Sequence, residues 1–296
     1  EMEKQKIRAR AHKRFSMIQE NILWQTITKG QDSNFLGYET LTSDAEIRKI
    51  SKNNEHTILI LNQTPFYAES GGQIGDTGVI CIDEHQLIVE NTIYESGSSI
   101  MHICKGDVDD DILKKHVECI VDKNRRQAIR SNHTATHLLH SALKTVLGDH
   151  VHQAGSLVSP DYLRFDLTHN NKINSSQLIK IEYLVNEVIL NNNSLTVEVK
   201  PFETARKEGV EALFGEKYGD EVRVISVGEF SKELCGGTHV NHTGEIGLFK
   251  IIEESSLSAG VRRIVAITGK EAVNHVQNQS NLVKELLLKF NCNSDD

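Results

Sequence analysis

Two short motifs set the strongest condition on how this chain can fold. The first is His133-Thr134-Ala135-Thr136-His137; the second, roughly a hundred residues later, is Cys235-Gly236-Gly237-Thr238-His239. On a helix, residues four apart share a face, so the two imidazoles of the first motif point the same way. A thiolate and an imidazole are both good zinc ligands, and the glycines of the second motif let the backbone bring its two ends to one point. Either pair alone reads equally well as ordinary core or surface residues. Together they supply His, His, Cys and His, a zinc set. A fold that uses this set must bring two distant stretches of chain to one place.

The set does not read as a zinc protease. Those enzymes carry a glutamate beside the first histidine as general base, and here that position is Thr134. Catalytic zinc commonly has three protein ligands and a water. If all four residues bind, zinc has no free position unless one ligand leaves or coordination expands.

The rest of the composition narrows the class. Of 296 residues, 38% are hydrophobic and 25% charged, enough apolar side chain for a core. No apolar run approaches the roughly 20 residues of a membrane-spanning helix, and the charged start is not a secretory signal. Cys81, Cys104, Cys119, Cys235 and Cys292 are scattered, odd in number and free of any CxxC pair. That argues against a disulfide framework and for a reducing, cytoplasmic setting. A net charge of -8 argues against a protein that grips nucleic acid over its whole surface. Local basic clusters remain: Lys4, Lys6, Arg8, Arg10, Lys13 and Arg14; then Arg125, Arg126 and Arg130; then Arg262 and Arg263. Each is a solvated face or a site for RNA phosphates.

Along the chain, the absence of Gly and Pro predicts a connector helix over 3–28, within a first segment 1–33. Short β-branched stretches at 57–61, 78–82, 86–89 and 116–121, punctuated by turn residues, predict a small barrel or sandwich over 34–121. Asp122 as N-cap and Gly148 as terminator bracket a helix that carries the first motif. Strands near 151–158, 162–168, 194–200, 222–227, 245–253 and 261–268 are expected, with helices at 175–192 and 203–208. The class is therefore α+β: a β-barrel, then a mixed core over 122–268, then a helix in 269–296 leading toward a further domain.

The paired motifs resemble the zinc motifs of alanyl-tRNA synthetase editing domains and their free-standing relatives. Thr64-Pro65-Phe66-Tyr67-Ala68-Glu69-Ser70-Gly71-Gly72-Gln73-Ile74-Gly75-Asp76-Thr77-Gly78 resembles that family's signature in the barrel before the editing core. Gln153-Ala154-Gly155-Ser156-Leu157-Val158 and Leu163-Arg164-Phe165-Asp166 are similar to its core. Gly260-Val261-Arg262-Arg263-Ile264 resembles its closing strand. No segment resembles the aminoacylation domain or the family's C-terminal domain, so ligase activity is not expected of this piece.

The resemblance implies hydrolysis of the ester joining a wrong amino acid, serine or glycine, to the tRNA for alanine. It makes His133, His137, Cys235 and His239 the ligands of a zinc cofactor. Gln153, Thr134, Thr136, Arg164 and Asp166 become candidates for the substrate, with Arg164 and Asp166 equally readable as an ion pair on one strand face. Arg125, Arg126, Arg130, Arg262 and Arg263 become candidates for the tRNA. Gln73 belongs to the signature but carries no assigned chemistry. Other readings are a free-standing editing deacylase, a zinc-stabilised RNA-binding module without catalysis, and an editor for another tRNA, since threonyl-tRNA synthetases carry a related domain. The Ala68–Gly78 stretch favours the alanyl family.

Overall fold

Thr57–Leu61 is buried at every position, although a strand sends successive side chains to opposite faces. The computed structural model, which describes residues 22–53, 55–95, 97–212 and 219–290, shows why. Leu59 and Leu61 fill the inside of a closed barrel, while Ile58 and Ile60 lie under Ile22, Trp24 and Ile93 on its outside. The barrel strands are β1 (Thr42–Lys52), β2 (Thr57–Leu61), β3 (Gly78–Ile82), β4 (His85–Tyr94), β5 (Ile100–Lys105) and β6 (His116–Val121). Their order is β1-β2-β5-β4-β3-β6, and β6 returns to β1 to close it. A barrel this small is filled by its own side chains.

Two barrel strands escape a sequence reading. β1 looks polar, and a bulge between Ile47 and Lys49 breaks its alternation. β5 carries His102, Cys104 and Lys105 in place of a plain β-branched run. The helix expected at 3–28 lies mostly outside the described residues, as does the basic cluster from Lys4 to Arg14. Its described end is not helical: Gln25 and Thr26 pair with Ile50 and Lys49 of β1. There β1 runs past its pairing with β6, which ends at Glu46, and its backbone offers partners that outweigh a helix-permissive composition.

The chain divides into two units. The described residues up to Ser70 join Gly75–Lys123 in the barrel unit; Gly71–Ile74 join the described residues from Asn124 onward in the second. The second unit is mixed. Helix α1 (Lys123–Leu147) follows Asp122 directly and ends at Gly148, whose φ of 112° and bond to the Lys144 carbonyl mark a glycine terminator. Strands β7 (Gln153–Val158) and β8 (Leu163–Thr168) lead to α2 (Ser175–Leu190), which Asn174 and Gln177 start with a capping box. Then come β9 (Leu195–Pro201), α3 (Phe202–Lys207), β10 (Glu221–Val227), β11 (Ser231–Leu234), β12 (Phe249–Ser258), β13 (Val261–Thr268) and α4 (Gly269–Phe290).

The strands form two antiparallel sheets, β7-β8-β13-β12 and β9-β10-β11. The strand expected at 245–253 begins later, because Thr243–Ile246 turns as a short 3-10 helix first. The core gathers Leu138, Leu139 and Leu143 of α1, Phe165 of β8, Ile181 and Val185 of α2 and Ile264 of β13. No helix among the described residues is long and apolar enough to cross a membrane.

Candidate metal centre

Helix α1 is buried on two stripes of different chemistry. Ala135, Leu138, Leu139 and Ala142 join the apolar core, while His133, His137 and His140 line the other stripe at spacings of four and three. The rings of His133 and His137 stack at 5.3 Å, only 13° from parallel. The helix thus holds two imidazoles in one orientation before anything else is added.

The second motif leaves β11 and turns back. Arg223 of β10 donates one guanidinium nitrogen to the carbonyls of Cys235 and Gly237, at 3.0 and 2.9 Å, which fixes the turn. Gly237 packs against His133: a Cβ there would lie 2.0 Å from Cε1 of the ring. Only glycine lets the turn come this close. The result is convergence. Ligand atoms of His133, His137, Cys235 and His239 all lie within 4.8 Å of one another. Nε2 of His133 and of His239 stand 3.4 and 3.2 Å from the Cys235 sulfur.

Each imidazole is held from behind through its other nitrogen. His133 Nδ1 meets Gln73 Oε1 at 2.7 Å, His137 Nδ1 meets Glu233 Oε2 at 2.6 Å, and His239 Nδ1 meets Thr134 Oγ1 at 3.2 Å. This is the outer-shell arrangement metal-ligating histidines use to fix ring and tautomer. His137 Nε2 is buried and has no hydrogen-bond partner among the described residues. Three nitrogens and one sulfur, with one nitrogen otherwise orphaned, fit a tetrahedral zinc ion.

The electrostatics favour the thiolate of that donor set. Burial would push the Cys235 thiol up, but the imidazoles of His133, His239 and His137 outweigh it and hold the thiol well below its usual range. Burial also opposes a charge on His137, yet the Glu233 carboxylate and Cys235 overcome it and raise its pKa. Glu233 is correspondingly lowered against burial by His137 and His140. His239 is lowered, chiefly by burial. Metal ligation needs a thiolate, and the surroundings favour that form.

The other nominated residues scatter in role. Thr134 touches His239, as above. Thr136 instead bonds back to the Asn132 carbonyl at 2.8 Å, four residues earlier on its own helix. Gln153 donates to Ser156 Oγ at 3.3 Å. Asp166 receives Arg263 through two bonds, 2.6 and 2.9 Å, with Arg164 at 3.4 Å. Arg262 pairs with Glu254. Arg126 is completely buried and so is not a surface cation, while Arg125 and Arg130 are half-buried.

Three residues around the centre carry no role in the sequence reading: Gln73, Glu233 and His140. Glu233 takes both His137 and His140 Nδ1, the latter at 3.0 Å. Glu233 and His140 border a cleft of ≈ 270 Å³, together with Lys144, Glu211 and Lys232.

Comparison with known proteins defines the class first. Residues 222–265, from β10 through the Cys235 turn into β13, match the model described as threonyl and alanyl tRNA synthetase second additional domain. Residues 1–125, which include the barrel strands, match the model of class II (A) tRNA synthetases. Both models describe aminoacyl-tRNA synthetases. The alanine–tRNA ligase of Wolbachia pipientis wMel is 48% identical over 90% of this chain and 32% of its own length. That of Fervidobacterium nodosum is 48% identical over 88% and 31%, and that of Nitrobacter winogradskyi 43% identical over 100% and 36%. The chain belongs to the alanine–tRNA ligase family and spans about a third of the length of these relatives.

Proposed function

We propose that the second unit is an aminoacyl-tRNA deacylase that clears serine and glycine from the tRNA for alanine. The observation that carries this reading is the convergence of His133, His137, Cys235 and His239, each histidine braced from behind. Those four residues would hold zinc, which when bound supplies a positive charge beside the ester and ties the two motifs together. The free thiols suit a reducing cytoplasm.

The need for such a site follows from pocket physics. A pocket sized for alanine cannot exclude glycine by size, and one hydroxyl distinguishes serine weakly. A second pocket that hydrogen-bonds the serine hydroxyl spares alanine, because alanine leaves those groups unpaired at about 1–3 kcal/mol each. Gln153 is the residue proposed to meet the substrate, since its amide both donates and accepts. Thr134 holds His239 in place. Phosphate contacts fall to Arg125 and Arg130, on the helix that bears His133 and His137, with Arg262 and Arg263 as further candidates. The partners are then the tRNA for alanine and the remaining two-thirds of a full-length ligase, including its aminoacylation and C-terminal domains.

The test is deacylation of seryl-, glycyl- and alanyl-tRNA for alanine by this chain, with and without a zinc chelator. Chelator-sensitive loss of serine and glycine with alanine spared is expected. Zinc bound at full stoichiometry with no ester cleaved at high protein concentration would favour the non-catalytic RNA-binding module, a reading to which four closed ligands lend some weight.

A further inference from the structure

Gln73 is completely buried, yet its side chain is polar at every reaching atom. Its backbone is anchored beside β7: Gly72 accepts from the Val158 N–H at 2.7 Å, and the Ile74 N–H donates to the Val158 carbonyl at 3.2 Å. Gly72 has φ of 81°, and a Cβ there would lie 2.9 Å from the Ser156 carbonyl oxygen. Glycine is therefore what lets this short segment lie against the strand. With the backbone fixed, the side chain has one direction to go.

We propose that Gln73 is a positioning residue of the metal centre, which sets the tautomer of His133 and clasps the two ligand motifs together. This rests on the reading of the four residues as a zinc site. The argument begins at the Thr238 N–H, which can only donate. It lies 2.9 Å from Gln73 Oε1, so the atom facing it is the amide oxygen. The same oxygen stands 2.7 Å from His133 Nδ1 and has no proton to give, so Nδ1 carries the hydrogen. The lone pair of His133 is then on Nε2, the nitrogen that faces Cys235. The amide nitrogen of Gln73 donates to Thr238 Oγ1 at 3.0 Å, completing the assignment. One side chain thus grips the first motif at His133 and the second at Thr238, between Cys235 and His239. Gly237 makes the grip possible, since a Cβ there would also lie 2.9 Å from Gln73 Oε1.

The test compares Gln73→Leu, which keeps the volume and removes the acceptor, with Gln73→Glu, which keeps an acceptor for His133 and Thr238. Zinc affinity is read by competition with a chromogenic chelator, and the ligand field by the absorption spectrum of the cobalt-substituted protein. Gln73→Leu should bind zinc about 10–100-fold more weakly and show an altered cobalt spectrum. Gln73→Glu should keep most of the affinity and the wild-type spectrum, because a carboxylate is a common partner for a metal-bound histidine. Wild-type zinc affinity and spectrum in Gln73→Leu would overturn the proposal while leaving the metal site standing. Equal losses in both variants would overturn it too, since only one of them lacks the acceptor. A wild-type protein that binds no zinc would overturn the metal site and this proposal together.

Discussion

Both units bury histidines and hold cysteines, and His102 and His137 take opposite paths. In the barrel, His102 is completely buried, with Thr64 Oγ1 2.8 Å from Nε2 and the Leu59 carbonyl 3.1 Å from Nδ1. Burial pulls its pKa down to about 4, so the ring stays neutral, donating to Leu59 and accepting from Thr64. Burial likewise pushes the Cys119 thiol up to about 12, with Asp44 adding to the effect, and raises Cys104 further. In the second unit, His137 is also buried and Cys235 half-buried, but the His137 pKa rises, and the Cys235 thiol falls. Depth does not separate the two histidines. Company does. An isolated polar group among aliphatic neighbours keeps its neutral form, whereas the Glu233 carboxylate and the Cys235 sulfur favour charge on His137, and the imidazoles favour the thiolate; His239, lowered chiefly by burial, follows the barrel pattern.

The comparison breaks most sharply at the thiols. Cys235→Ala should abolish deacylation and leave zinc well below one ion per chain by elemental analysis, with the barrel still folded. Normal editing with full zinc in that variant would remove Cys235 from the ligand set. The glycines beside it offer a matched pair. Gly237→Ala drives a methyl into His133 and should weaken zinc binding by about 100-fold or more, as seen by chelator competition. Gly236→Ala meets nothing within 4 Å and should bind zinc as the wild type does.

A smaller effect belongs to the barrel. His102 takes a proton more readily unfolded (near 6.5) than folded (about 4), so its stabilisation is complete above pH 6.5 and lost as pH falls to 4. That loss amounts to about 3 kcal/mol. Urea unfolding followed by the fluorescence of Trp24, the single tryptophan, should show it, and a flat profile across this range would contradict the assignment. The smallest expected effect is Cys119→Ala: about 1 kcal/mol from lost packing, with zinc and deacylation unchanged.

The four residues that converge were legible in the sequence because their spacing is local. Four residues on a helix and four across a glycine turn state their geometry without the rest of the fold. The bracing residues were not legible in the same way. Gln73 precedes His133 by 60 residues, and Glu233 lies 96 from His137. Nothing near either in the chain says which ring it will meet. Within the first motif, Thr136 turns its hydroxyl to its own helix, which periodicity alone does not distinguish from a hydroxyl facing the ligands. Strand residues two apart did announce themselves, since Arg164 and Asp166 lie within 3.4 Å on one face, and Arg263 arrives from β13 directly opposite. The bulged strand β1 was lost because an extra residue resets the alternation that identifies a strand.

The separation of the two ligand pairs has a consequence in time. His133 and His239 are roughly a hundred residues apart, and a ribosome adding about 5–20 residues per second needs roughly 5–20 s to cover that stretch. For that interval a growing chain carries two imidazoles without their thiolate, too few ligands to hold an ion tightly. An ion that joins both pairs afterwards closes a loop of that length, a cross-link whose chain-entropy benefit is about 4–5 kcal/mol. Capturing zinc would then be one of the last events in the birth of the second unit, and a barrel made earlier in synthesis would not have to wait for it.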